Sequence, residues 1–365
     1  MTRILHVTDV YRPQVAGIEL FVEELADQQR KQGHDVTVLT SARGVADHEE
    51  HVIRGSVAGL WRAVDLREYD VVHAHLSVFS TATTFVTRAA VRAGVPVIAT
   101  VHSIWSSAGG RWVPLAATLG GWRRAPIVWT AVSAAAARDV QRILPRAEVR
   151  VVPNAVDVDW WRAGMPAEGE QKQGPLKIAA VMRLARRKRP LQLIAAIDRV
   201  RQSAPGCDFR LVIAGDGPQR EHCEQAIARH HLEGVVELLG SRTREQVRDL
   251  YADSDIYVAP ATLESFGIAA LEARSVGLPV VGMKAGGVGE FLVEGVDGFL
   301  CADDHDLADT LAELLRDDAL RTRMTAHNRT TPPVHDWAHA VDNYDAAYCR
   351  AGELAERPLS TRVGA

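Results

Sequence analysis

Asp255-Ile-Tyr-Val-Ala-Pro260, followed closely by Glu264-Ser-Phe-Gly-Ile-Ala-Ala-Leu-Glu272, reads as a strand, a short loop and a helix. The brief apolar run closed by proline suits a buried parallel strand. Ser265 is the expected N-cap, Gly267 lets the backbone come close to a ligand, and Ile268 to Leu271 begins a buried face. The N–H groups of Phe266, Gly267 and Ile268 would then form an anion site at the positive end of a helix. Glu264 would lie beside that site, and Glu272 roughly 9 Å further along the helix. One carboxylate on each side of a diphosphate suits a nucleotide carrying a sugar. The plain alternative is a half-buried helix start with one capping and one surface glutamate.

Working outward, the same alternation recurs along the chain. Ile4 to Thr8 is a strand, the loop Asp9 to Gly17 follows, and Glu19 to Lys31 has helical spacing before Gly33 and the strand Asp35 to Leu39. Strands at 71–74, 95–101, 127–132 and 149–152 continue the series, with a helix around 79–93 and another capped by Ser133. From about Trp160 to Pro175 the pattern lapses into a Gly- and Pro-bearing linker. It restarts at Leu176-Lys-Ile-Ala-Ala-Val181, with strands at 209–214, 235–238, 255–259, 279–283 and 299–301. Strand and helix in alternation mean parallel sheets covered on both faces. The expected architecture is α/β, with two Rossmann-like doubly wound domains facing across a cleft where ligands bind beyond the strands' carboxyl ends. The domains are expected at 1–160 and 175–334, with a late amphipathic helix at about 335–365 packing back on the first.

At 365 residues the chain has material for two cores, and its composition, 47% hydrophobic and 24% charged, is that of a globular protein. A net charge of −4 gives no push toward nucleic acid. Cys207, Cys223, Cys301 and Cys349 are widely spaced and read as reduced thiols in a cytoplasmic protein. No signal peptide or membrane span is visible. Between Asp70 and Asp139 there is no acidic residue, while Arg88, Arg92, Arg111, Arg123, Arg124 and Arg138 fall there with Trp105, Trp112, Trp122 and Trp129. Such a stretch suits peripheral contact with anionic lipid or an anionic acceptor. A core that uses arginine on its surface explains it equally.

Arg183 lies at the carboxyl end of the first strand of the second domain and Lys188 at the start of the next helix. Cations there can neutralise a diphosphate and stabilise a nucleotide leaving group, or form a solvated basic turn. Gly215-Asp-Gly217-Pro218 and Ala285-Gly-Gly-Val-Gly-Glu290 are Gly-rich turns, each weak by itself. Glu294 to Phe299 reads as a structural turn. His73 and His75 read as cleft lining or core, and a lone His102 as a satisfied loop residue.

Taken together, the sequence resembles family four of the retaining glycosyltransferases, which have the two-domain GT-B fold. The matching stretches are Arg12-Pro-x-x-Ala-Gly17-Ile-Glu19, Val71-Val-His-Ala-His75, Thr100-Val-His102, Ala131-Val-Ser133, Val152-Pro-Asn154-x-Val-Asp157, Arg183 with Lys188, Gly215-Asp-Gly217-Pro218 and Glu264-x7-Glu272. They run in family order, and the resemblance continues through Gly286-Gly287 and Trp337. Ala16, Ala155, Met182 and Arg189 stand where the family often has glycine.

The resemblance implies transfer of a hexose from a UDP- or GDP-hexose to an acceptor hydroxyl, with the anomeric configuration kept and no metal or other cofactor. His102, Arg183, Lys188 and Glu264 would form the catalytic set. Glu264 would bond sugar hydroxyls, Glu272 the ribose, Arg183 and Lys188 the diphosphate. The backbone at Phe266, Gly267 and Ile268 would meet phosphate or sugar, as would that of Gly17, and His102 would sit near the anomeric centre. The acceptor would be a sugar, lipid or small molecule, reached in the cytoplasm or peripherally on the inner face of the membrane. A nucleotide-sugar epimerase of the same fold would need an acid or base in the first domain, where Asp9 is the main candidate. A non-catalytic nucleotide-sugar-binding protein would keep the binding residues alone.

Overall fold

The computed structural model describes residues 1–12, 17–44, 51–57, 59–105, 117, 121–165 and 174–356. It divides into two compact units, one of Met1–Ala155 with Trp337–Ala365 and one of Val156–Asp336. Ala16, Arg111, Trp112 and the last nine residues lie outside the described residues.

In the first unit, β1 (Arg3–Thr8), β2 (Asp35–Thr40), β3 (Val52–Arg54), β4 (Val71–Leu76), β5 (Val97–Val101), β6 (Ile127–Ala131) and β7 (Val149–Val151) form one sheet in the order β3-β2-β1-β4-β5-β6-β7. Every pairing is parallel. Helices α1 (Gly17–Lys31), α2 (Thr81–Arg92) and α3 (Ala134–Ile143) alternate with the strands. Ser133 caps α3 by accepting from the Ala136 N–H at 3.1 Å, as its place before an alanine run predicts. The C-terminal helix, Trp337–Ala355, belongs to this unit and buries Trp337, Val341, Tyr344 and Tyr348 with Phe21, Leu25 and Ile98. Those four positions share one helical face, so the chain's last helix completes the first core.

The second unit begins with α4 (Val158–Arg162), and its strands β8 (Leu176–Val181), β9 (Phe209–Ala214), β10 (Val236–Gly240), β11 (Ile256–Ala259), β12 (Val280–Met283) and β13 (Gly298–Cys301) run in the order β10-β9-β8-β11-β12-β13. Its other helices are α5 (Pro190–Ser203), α6 (Arg220–Arg229), α7 (Arg244–Ala252), α8 (Ile268–Ser275), α9 (Asp304–Arg316) and α10 (Asp318–Thr330). Each sheet therefore reverses its strand order once, between β1 and β4 in the first unit and between β8 and β11 in the second.

The stretch read as a linker from Trp160 is partly helix. Asp157 accepts from the Trp160 N–H at 3.0 Å to start α4, Trp161 packs on Tyr251 at 5.6 Å between centroids, and the Arg248 guanidinium lies 4.3 Å from the Trp160 ring. Paired tryptophans anchor these residues to the second unit, which glycine and proline counts alone did not show.

Candidate active site

In a doubly wound sheet the loops leaving the two strands at the reversal diverge and open a crevice at their carboxyl ends. In the second unit those strands are β8, which leads into Arg183 and Lys188, and β11, which leads into Glu264. Lys188 Nζ donates to Glu264 Oε2, and both side chains are partly exposed. Arg183 is exposed, and its guanidinium pairs with no described residue. The fold thus brings Lys188 and Glu264 together although more than seventy residues of chain separate them, and Arg183 leaves the same strand end as Lys188.

Glu272 lies within α8, half-buried. It and Glu264 both act on the buried Tyr257 phenol, whose acidity burial suppresses first and the Glu272 and Glu264 charges suppress further. Tyr257 in turn donates to the Val181 carbonyl at 3.4 Å, the last residue of β8. This phenol, absent from the sequence reading, ties the strand that carries Arg183 to the glutamate pair. Its position one residue into an apolar strand gave no warning.

Helix α8 starts later than expected. Its N-cap is Gly267, at φ 99°, and no side chain caps it, so Ser265 is not the cap. At φ 99° a residue with a β-carbon is strained, and the loop turns into the helix through glycine instead. Consequently the amides of Phe266, Gly267, Ile268 and Ala269 donate to no described acceptor. Four open N–H groups at a helix start are an anion cradle next to Lys188 and Glu264. The far end of α8 is fixed by a buried ion pair, Arg274 to Asp297 at 2.6 Å, with the Thr331 carbonyl 3.1 Å from the same guanidinium. Asp297 comes from the Glu294–Phe299 turn, which is structural as read.

Both Gly-rich turns support this crevice. A β-carbon on Gly215 would stand 1.8 Å from the Met182 carbonyl oxygen, so this turn is pressed onto the loop that presents Arg183. One on Gly287 would stand 2.4 Å from the Ser265 carbonyl oxygen, and the Gly287 amide donates to the Glu264 carbonyl at 2.8 Å. Arg189 is held at φ 59°, which explains why glycine is usual there. Its guanidinium donates to the Pro260 carbonyl at 3.0 Å and to Asp304 at 2.7 Å, bonds that offset the strain and tether the residue after Lys188 to the loop of Glu264.

In the first unit, Gly17 opens α1 and is exposed. Asp9 is occupied at the start of α2, where its carboxylate accepts from the Ala82 and Thr83 amides at 2.9 and 3.0 Å and from the Thr83 hydroxyl at 2.6 Å. A carboxylate held as a helix cap is poorly placed for proton transfer, which removes the support for an epimerase. Trp105, Trp122 and Trp129 are buried and pack on one another with centroids 5.4–6.4 Å apart, so they are core and not a membrane-facing set. Their stretch builds three buried core strands, β4, β5 and β6, while Arg88, Arg92, Arg123, Arg124 and Arg138 are exposed.

His102 is no isolated loop residue. Its amide donates to the Leu76 carbonyl at 2.9 Å, and its Nε2 lies 3.0 Å from His75 Nδ1. His75 continues to His6 at 2.8 Å, and His6 to Gln29 at 2.7 Å. Burial drives the His102 pKa down to about 3 and that of His6 to about 4, with His73 and His75 also well below the ordinary value. All four rings are neutral at physiological pH. The alternating His73 and His75 in an otherwise apolar strand were the available sequence signal, and the structure makes them core. Ligand nitrogens of His6, His73 and His75 lie within 4.8 Å of one another. However, the His73 and His75 rings stack at 4.1 Å, so their in-plane lone pairs run side by side and do not converge on one ion.

With this geometry in place, the comparisons fall into one class. The family model "Glycosyl transferases group 1" matches residues 165–331, and "Glycosyltransferase Family 4" matches residues 15–160. The gpi3 subunit of phosphatidylinositol N-acetylglucosaminyltransferase from Schizosaccharomyces pombe is 28% identical over 94% of this chain and 79% of its own length. D-inositol 3-phosphate glycosyltransferase from Mycolicibacterium smegmatis is 27% identical over 95% of this chain and 90% of its own. The crystal structure of Anabaena HepE in complex with UDP and glucose superposes with a TM-score of 0.77 at 19% identity, covering 96% of this chain and all of that one. No helix among the described residues is long and apolar enough to cross a membrane.

Proposed function

The chain belongs to the glycosyltransferases of group 1 and family 4, with two parallel-sheet Rossmann-like domains like those of GT-B enzymes, and from that premise we propose that it moves a hexose from a nucleoside diphosphate sugar to an acceptor hydroxyl with retention of anomeric configuration. The observation that carries this reading is the Lys188–Glu264 pair beside four open amides at the start of α8, at the carboxyl ends of neighbouring strands, one of which leads into Arg183. Amides and cations fit the diphosphate, and Glu264 fits sugar hydroxyls once the donor's phosphates draw Lys188 away. Glu272, further along α8, takes the ribose hydroxyls. Phe266, Gly267 and Ile268 contribute backbone N–H groups, while Gly17 and His102 keep the donor-facing roles that the family resemblance gives them.

A transfer of this kind asks the protein to stabilise charge on the departing diphosphate and to hold the acceptor in line. Fixed cations and amides supply the first without a metal or other cofactor. Support for uridine as the base comes from the UDP complex of HepE, with GDP-hexose the alternative. Two relatives named for inositol-containing molecules make a phosphorylated inositol, free or on lipid, the first acceptor to try, and a lipid acceptor would put the enzyme peripherally at the inner face of the membrane.

A thermal-shift panel of UDP, GDP and ADP tests the donor. A ligand at a hundred times its Kd adds about 2.7 kcal/mol of apparent stability, so the right base stands out. The anomeric configuration of the product, read by NMR, tests retention. An inverted product, or no stabilisation by any nucleotide, would end the proposal.

A further inference from the structure

Eight buried polar side chains of the first unit follow one another in a hydrogen-bonded chain, and its chemistry has a direction. From His102 it passes to His75 (3.0 Å), His6 (2.8 Å), Gln29 (2.7 Å), Tyr348 (2.8 Å), His73 (2.8 Å), Thr100 (2.7 Å) and Thr130 (2.6 Å). Each imidazole or hydroxyl in it can pass its hydrogen either way, but an amide cannot, since its oxygen only accepts and its nitrogen only donates. Gln29 turns Oε1 to His6 Nε2 and Nε2 to the Tyr348 oxygen. His6 must then carry its proton on Nε2. A neutral ring so protonated has a bare Nδ1, which accepts from His75 Nε2–H; His75 Nδ1 is bare in turn and accepts from His102 Nε2–H. On the other arm Tyr348 donates to His73 Nδ1, His73 Nε2 to Thr100, and Thr100 to Thr130. All seven links are satisfied in this one direction. A second proton on His6 or His75 would set two donors against each other.

We propose that this chain locks His102 as the Nε2–H tautomer and presents its bare Nδ1 as the hydrogen-bond acceptor for a hydroxyl of the substrate, with Gln29, His6 and His75 as positioning residues for that task. The inference deepens the transferase reading and rests on it for the identity of the hydroxyl. Two further observations fit. Among the described residues Nδ1 of His102 has no hydrogen-bond partner, yet it is not among the side-chain atoms sealed from solvent without one. The ring is also braced against rotation, with Phe21 edge-on at 5.0 Å and the backbone amide tied to Leu76.

The test reads the rings directly. In protein labelled with 15N in histidine, two- and three-bond proton–nitrogen correlations at neutral pH should show His102, His75 and His6 all protonated on Nε2 with bare Nδ1. A protonated Nδ1 or a charged ring at His102 overturns the proposal, and this needs no variant and no activity. In Gln29→Met the direction is no longer set, so His102 should show a mixture of tautomers. Transfer by this variant should drop about 10-fold in kcat while the donor KM and UDP affinity stay within about 2-fold. Tyr348→Phe, which leaves the Gln29 amide free to turn over, should give a smaller shift in the same sense. Unchanged kcat in a folded Gln29→Met whose tautomers have mixed would also overturn it. If no donor is turned over at all, the transferase reading fails, and the ring spectra still decide whether the lock exists.

Discussion

The two units repeat one strand order but fill their carboxyl-end interiors with opposite chemistry. Beneath the loops of the first lies a chain of neutral groups, each partnered and each ring held uncharged by burial. Around the crevice of the second stand full charges, half-exposed and paired where paired at all, Lys188 with Glu264 and Arg189 with Asp304. The same scaffold therefore positions by hydrogen-bond direction in one copy and by charge in the other. Chains of neutral buried rings are insensitive to salt and sensitive to mild acid, whereas partly solvated ion pairs are weakened by salt.

Acid should break the contrast most strongly. The His6 and His102 pKa values lie below the ordinary 6.5, at about 4 and about 3, so the native state binds fewer protons than the unfolded chain. Their contribution is complete above pH 6.5 and is lost as pH falls through that value toward the native pKa; by pH 5 each ring should cost about 2 kcal/mol. Urea unfolding at pH 7.5 and pH 5 should show the first unit weakening by about 4 kcal/mol from these two rings. A flat profile would mean that the rings are not buried and neutral.

The close packing beneath the charged crevice comes next. Gly215→Ala should cost at least about 3 kcal/mol in denaturant unfolding, because its β-carbon meets the Met182 carbonyl and its φ of 133° is open to glycine alone. Unaltered stability would show that the turn does not carry the Arg183 loop. Lys188→Ala and Glu264→Ala should each slow transfer by at least about 100-fold, about 2.7 kcal/mol, with the unfolding midpoint little changed. Wild-type turnover in either variant would remove the second unit's charges from the chemistry.

The smallest effect is expected at Arg189→Gly. Glycine relieves about 1–2 kcal/mol of left-handed strain. It also loses the bonds to Pro260 and Asp304, so stability should stay within about 1 kcal/mol of wild type. A loss beyond that, measured by calorimetry, would make the tether more important than the strain it offsets.

Much of this was legible in order along the chain. Short apolar runs separated by helical spacing gave both sheets, because parallel strands buried on two faces have no polar alternative. Arg183, Lys188 and Glu264 were visible because charges directly after such strands stand out. Ser265 misled, since a serine before a helix is a good cap only when the backbone enters from the extended region, and here it enters left-handed through Gly267. The tryptophans misled too: an indole suits a core and an interface equally, and only packing distinguishes them.

By itself, then, the sequence determined the α/β class, the repeat of the doubly wound pattern and the identity of the charged residues, all of which depend on local periodicity. Tertiary structure alone decided which groups meet. The Lys188–Glu264 pair spans 76 residues, and the bond from Gln29 to Tyr348 spans 319. Periodicity carries no information over such separations; strand order brings the first pair together, and the return of the last helix to the first core brings the second. The direction of the histidine chain is likewise a tertiary property, because it is set by which way one buried amide faces.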